Sequence, residues 1–108
     1  MAAKFIHFGI PVTDVKPGMT FIEPLKLWLS NPDDSEFKFE YLKFEDGNPF
    51  HKAIKVNVHA GYEIDDTQAY IEKADEVLQG PSETPDGRIV TFVKIDEAIL
   101  ELVEYKNK

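Results

Sequence analysis

Two histidines and two glutamates recur in matched settings along the 108-residue chain. HFGIPVTD (residues 7–14) and HAGYEIDD (residues 59–66) share the pattern H-x-G-x-x-[V/I]-x-D at an offset of 52 residues. FEYLKF (39–44) and LELVEY (100–105) share the order apolar, Glu, apolar, apolar, charged, aromatic at an offset of 61. The first pair contributes His7 and His59, the second Glu40 and Glu101. Two imidazoles and two carboxylates can hold a divalent metal with exchangeable positions left over. Imidazole suits Zn, Ni, Co and Fe, and oxygen ligands keep the ion a Lewis acid. Such an ion can polarise a carbonyl and stabilise the charge that develops when a neighbouring proton is removed. The chain has no cysteine, so disulfides and thiolate ligands are excluded and nitrogen and oxygen are the donors left.

Each of these residues also has a purely structural reading. Glu101 lies among Ile99, Leu100, Leu102 and Val103, a run that implies a strand buried on both faces, where an unpaired carboxylate is costly. Glu40 alternates with Phe37, Phe39 and Tyr41, which alone reads as aromatic-in and charge-out. If Glu40 instead faces a site, those aromatics face the opposite side and need a cover, such as a second subunit. A lone strand histidine is commonly structural; it is the matched pair, His7 and His59, that points to a site. Gly9 and Gly61 follow the histidines by two residues, where they relieve crowding or permit a bulge. His51 has no counterpart and reads as a connector residue, and Trp28 as a packing residue. Arg88, the only arginine, opens a strand; it reads as a surface residue or as a grip for a substrate carboxylate or phosphate.

The elements that must position these groups are mostly strands. Pro and Gly turn signals at 16–19, 31–34, 46–49 and 80–87 divide β-rich segments at 4–12, 20–23, 25–30, 36–45, 53–64, 77–81, 88–95 and 99–105. DDTQAYIEKADE (65–76) gives the one convincing helix, with an Asp to cap it and an apolar stripe of Ala69, Tyr70, Ile71 and Ala74. A mostly antiparallel sheet with a single helix follows. The chain reads as two copies of a unit that opens with a His strand and closes with a Glu strand. His7 to Glu40 spans 33 residues and His59 to Glu101 spans 42, so the first copy lacks room for the helix.

Composition bounds the partners. A chain of 108 residues with 43% hydrophobic and 30% charged residues is one soluble globular domain. Its net charge of −8 argues against nucleic acid or an anionic membrane as partner. No apolar run reaches about 18 residues, so no membrane span is expected. The opening stretch lacks a signal-peptide pattern and reads as a mature strand, which with the missing cysteines makes a cytoplasmic location the expectation. G-x-S-x-G, P-loop and G-x-G-x-x-G motifs are absent.

On HFGIPVTD, HAGYEIDD, FEYLKF and LELVEY the chain resembles the vicinal oxygen chelate superfamily, which includes glyoxalase I, methylmalonyl-CoA epimerase, extradiol dioxygenases and bleomycin-resistance proteins. The resemblance covers nearly the whole chain. It implies an α+β fold of two βαβββ-type modules forming a curved, mostly antiparallel sheet with a cleft. The modules would cover about residues 1–50 and 51–108, the first without its helix. It implies metal ligands at His7, Glu40, His59 and Glu101, and a proton-shuttling role for Glu101 or Glu40. The His-Glu-His-Glu set looks more like glyoxalase I than the dioxygenases, which use two histidines and one carboxylate. The expected activity is that of a small lyase, isomerase or epimerase working beside a carbonyl of a small-molecule substrate, with Zn, Ni, Co or Fe and as a homodimer. The alternative is a metal-free small-molecule binding protein of the bleomycin-resistance type. No counterpart of the insertions that hold glutathione or coenzyme A in better-known members is present.

Overall fold

The computed structural model describes residues 2–106. Eight strands form one curled mixed sheet: β1 (Lys4–Pro11), β2 (Thr20–Ile22), β3 (Leu27–Leu29), β4 (Phe39–Phe44), β5 (His59–Glu63), β6 (Glu76–Glu83), β7 (Arg88–Ile95) and β8 (Ala98–Tyr105). Two short helices accompany them, α1 (Lys52–Val56) and α2 (Thr67–Lys73). The strand order is β2-β3-β4-β1-β5-β8-β7-β6, so β2-β3-β4-β1 runs into its mirror series β5-β8-β7-β6 at the antiparallel β1–β5 pair.

Five of the seven strand pairings are antiparallel; β1–β4 and β5–β8 are parallel. The two exceptions matter for the site. A parallel pair cannot be closed by a tight hairpin. The chain therefore makes its outer strands first and returns to lay each glutamate strand beside the histidine strand that opened the same half.

Residues facing one another across paired strands lie on the same side of a sheet, and alternate residues on opposite sides. One side thus carries Tyr62, Ile64, Thr91, Val93, Leu100 and Leu102, which pack with Tyr70 of α2 or lie beside that cluster. Helix α2 has seven residues, too few to be stable alone. It is held by burying Tyr70 against Ile64, Val93 and Leu102, each at about 1.5–3 kcal/mol of apolar transfer. Asp66 caps it through Ala69 N at 3.3 Å. Glu104 Oε1 accepts from both the N–H and the hydroxyl of Thr67, at 2.8 and 2.7 Å.

Helix α2 packs on β6, β7 and β8 and not on the same side of the first half. There Phe5, Phe8, Phe39, Phe37 and Tyr41 form a chain of ring contacts with centroids 4.9–6.2 Å apart, and Phe37 is 63% exposed. A break in the β1–β5 register between Phe5 and His7 brings both Phe5 and Phe8 to this side. The other side of the sheet, its inner side, holds His7, Gly9, Glu40, Leu42, His59, Gly61, Phe92, Glu101 and Val103. Phe50, in the connection between the halves, packs across it onto Phe44 and Phe92 at 5.3 and 6.4 Å.

The strand expected over 53–64 divides into two elements. His51 Nδ1 accepts from Ala53 N at 3.0 Å and Asn57 Nδ2 donates to Ala53 O at 3.0 Å, which closes α1 as a turn of helix. Val56 and Val58 are 65% and 55% exposed, so no apolar burial opposes this local capping, and β5 begins only at His59. His51, read from sequence as a connector, is that cap. Among the described residues, no helix is long and apolar enough to cross a membrane.

Candidate metal centre

The site lies on the inner side of the sheet, where its two halves meet. In the β1–β5 ladder His7 faces Gly61 and Gly9 faces His59. In the parallel pairs Gly9 faces Glu40 and Gly61 faces Glu101. Each glycine is thus flanked by the histidine of the other half and the glutamate of its own, and its missing side chain is the space their side chains use. A Cβ on Gly9 would lie 2.1 Å from His59 Cε1, and one on Gly61 would lie 2.9 Å from His7 Nε2. The H-x-G spacing is explained by this reciprocal fit: paired in opposite directions, two such strands place each histidine over the other's glycine. The glycines relieve crowding, as expected, while the register break is elsewhere, between Phe5 and His7.

His7, His59 and Glu101 converge, each offering one ligand atom, with all three atoms within 4.8 Å of one another. His7 Nε2 is 3.0 Å from Glu101 Oε1, and His59 Nε2 is 3.5 Å from the same oxygen. Neighbouring ligands on a tetrahedral ion with bonds of about 2.0–2.1 Å are separated by roughly 3.3 Å, so these spacings bracket what such an ion requires. The donor set, two imidazoles and a carboxylate, suits a borderline divalent metal and leaves positions open. A buried His/His/Glu group that could hold a metal ion is therefore present. Glu40 approaches His7 Nε2 to 3.6 Å but is not a member of that group.

Burial controls how these groups are held. His7 is 8% exposed and His59 is 2% exposed. The His59 ring meets Phe92 edge-on at 5.3 Å, and its Nδ1 is buried with no hydrogen-bond partner among the described residues. Packing between Gly9 and Phe92, and not a second hydrogen bond, orients that imidazole. Phe92, which faces Glu101 on β7, is a residue the sequence reading did not single out. The only cue was its place in the strand opposite the glutamate strand.

The electrostatics of the two glutamates differ. Burial alone pushes Glu101 up, but hydrogen bonds with His59 and His7 and the charges of those rings outweigh it, lowering its carboxyl to about 2. Burial likewise pushes Glu40 up and there the net shift stays upward, with the Glu101 charge adding to it and His7, His59 and Arg88 opposing it. Burial pushes His7 down, but the Glu101 hydrogen bond and then the Glu40 and Glu101 charges raise it on balance. The metal-free centre is thus a His7–Glu101 pair that holds a proton between Nε2 and Oε1, with a second carboxylate beside it that ionises less readily.

A cavity of about 510 Å³ opens next to this centre, lined among others by His51, Val58, His59, Lys94 and Ile99. It touches the centre through His59 alone of the four polar residues.

No protein-family model matches the chain and no curated protein matches it.

Proposed function

We propose that the protein is a small metal-dependent enzyme of the glyoxalase and epimerase type, in which His7, His59 and Glu101 hold a divalent metal and Glu40 moves a proton beside a substrate carbonyl. The observation that carries this is the convergence of three ligand atoms within 4.8 Å, with Glu40 a further 3.6 Å from His7. A metal bound there would polarise substrate oxygens. Glu101, kept ionised by its two histidines, would neutralise part of the ion's charge. Glu40, raised by burial and outside the three-ligand group, is suited to take a proton and return it. In this reading the two halves of the sheet are βαβββ-type modules of the vicinal oxygen chelate superfamily, about residues 1–50 and 51–108 of a single domain, the first without its helix. A small-molecule substrate, a homodimer that covers the exposed aromatic face, and a cytoplasmic location belong to the same proposal.

The second reading is a metal-free binding protein. It is favoured by the 3.0 Å contact between His7 and Glu101, which satisfies both groups without an ion.

The test is exchange of an α-proton for deuterium, followed by NMR, when nickel- or cobalt-loaded protein meets α-hydroxy-carbonyl and thioester compounds. Exchange that falls about 100-fold or more in Glu40→Gln, with the metal still bound, is the expected result for a general acid–base group. Metal-stripped protein that binds such compounds without exchanging them would favour the binding protein.

A further inference from the structure

Pairing on the inner side continues past Glu101 along β7. Phe92 faces Glu101, Val90 faces Val103 and Arg88 faces Tyr105, so Arg88, Val90 and Phe92 form one row on the side of the sheet that carries the centre. Phe92 at the inner end of the row packs on His59, and Arg88 opens the strand at its outer end. The Arg88 side chain is 36% exposed and donates from Nε to Asp86 Oδ1 at 3.1 Å. Its terminal nitrogens make no ion pair or hydrogen bond among the described residues, so the outer pair of the guanidinium fork is open. The other cation of the row, Lys94, faces Glu76 across the ladder and is 3.9 Å from Glu97.

We propose that Arg88 is the anion clamp of this site, gripping a carboxylate that the substrate carries a short apolar chain away from the oxygens it presents to His7, His59 and Glu101. The inference rests on the metal-centre reading above. Four residues of strand separate Arg88 from Phe92, about 13 Å, of which an arginine side chain spans roughly half. The remaining distance, roughly 7 Å along Val90 and Phe92, fits about five carbons. The substrate class is a short-chain hydroxy-carbonyl or keto acid. Charge supports the assignment. In a chain of net charge −8, a carboxylate held away from the metal needs a cation of its own, and Arg88 is the only arginine. Its charge also reaches the centre, where it is one of the influences that oppose the upward shift of Glu40. A planar fork with two free donors matches a carboxylate in a way an ammonium does not.

The test compares two hydroxamates on nickel-loaded protein by calorimetry: pentanohydroxamate, and its equivalent with a terminal carboxylate, glutaric acid monohydroxamate. Both chelate through the same two oxygens, and they differ at the far end. The wild-type protein is expected to bind the carboxylate form at least about tenfold more tightly. Arg88→Gln removes that margin and leaves pentanohydroxamate binding unchanged, and Arg88→Lys retains part of the margin. Equal affinities in the wild type, or a margin that survives Arg88→Gln, would overturn the clamp while leaving the metal centre standing. Failure of the protein to take up nickel, or of both hydroxamates to bind, would overturn the metal-centre reading and the clamp with it.

Discussion

Gly9→Ala is the sharpest perturbation the fold offers, because it leaves every polar group of the centre in place. The new Cβ would lie 2.1, 2.4 and 2.7 Å from Cε1, Nε2 and Nδ1 of His59. Ordinary contact begins at 3.4 Å, so the ring must move by about 1.3 Å from its nearest clash. It has little room to do so, being 2% exposed and closed on one side by Phe92. Metal–ligand distances tolerate about 0.2 Å, so the displacement removes His59 from the ligand set. Disturbing only the groups that orient a ligand costs about 10–100-fold in affinity, and loss of the ligand itself should cost at least the upper figure. Overpacking costs a further ~1–3 kcal/mol of stability in the metal-free protein. Zinc or nickel titration calorimetry reads the first effect and urea denaturation the second. In Gly9→Ala/His59→Ala the stability should recover because the clash is gone, while metal binding stays lost. Gly61→Ala, whose Cβ approaches His7 only to 2.9 Å, should be the milder of the two single changes. Wild-type metal affinity in Gly9→Ala would refute the reasoning.

Metal-free stability should pass through a maximum in mildly acidic solution. Glu101 is depressed from 4.5 to about 2, so its contribution is full above about pH 4.5 and fades as pH falls toward 2, up to ~3 kcal/mol in all. His7 is raised above 6.5, so the stability it adds is full below that value and is lost as pH rises through its folded-state pKa. The two describe one ion pair and count once. Glu40, raised above 4.5, offsets part of the gain as pH rises through its own range. Urea midpoints measured from pH 3 to 9 check the shape; a flat profile would contradict the pairing. Glu104→Ala should destabilise by about 1–3 kcal/mol through Thr67, which is 7% exposed and would lose a charged acceptor for two donors; a change below measurement error would show α2 is held without it. Phe37→Asp should shift the proposed homodimer to monomer in sedimentation velocity without altering metal affinity, and an unchanged sedimentation coefficient would remove that face from the proposal.

The residues that form the centre were legible because a repeat makes chemistry visible: one buried polar residue in a strand is ordinary, and the same residue twice at matched positions is not. His7, His59 and Glu101 come together, with Glu40 beside them. Glu40's neighbours turned out as the alternation allowed, with Phe39 and Tyr41 on the far side. Pairing geometry was harder to see. Nothing in HFGIPVTD alone tells that Gly9 makes room for His59 and not for His7, since that depends on an antiparallel partner 52 residues away. Val56, Val58, Ala60 and Tyr62 alternate cleanly, so the pattern extends strand back over helix α1. Alternation cannot distinguish a valine that is buried from one left 65% exposed beyond the sheet. Phe92 carries no motif and joins the centre only through its register with Glu101.

Calorimetric titration of chelator-stripped protein with cobalt or nickel, alongside Glu101→Gln and His59→Ala, tests the central claim most directly. The account predicts tight binding of about one ion per chain, lost in both variants. It also predicts that binding below the raised pKa of His7 releases a proton, seen as a buffer-dependent enthalpy. No binding, or binding indifferent to both substitutions, would contradict it and leave the His7–Glu101 pair as part of a metal-free ligand site.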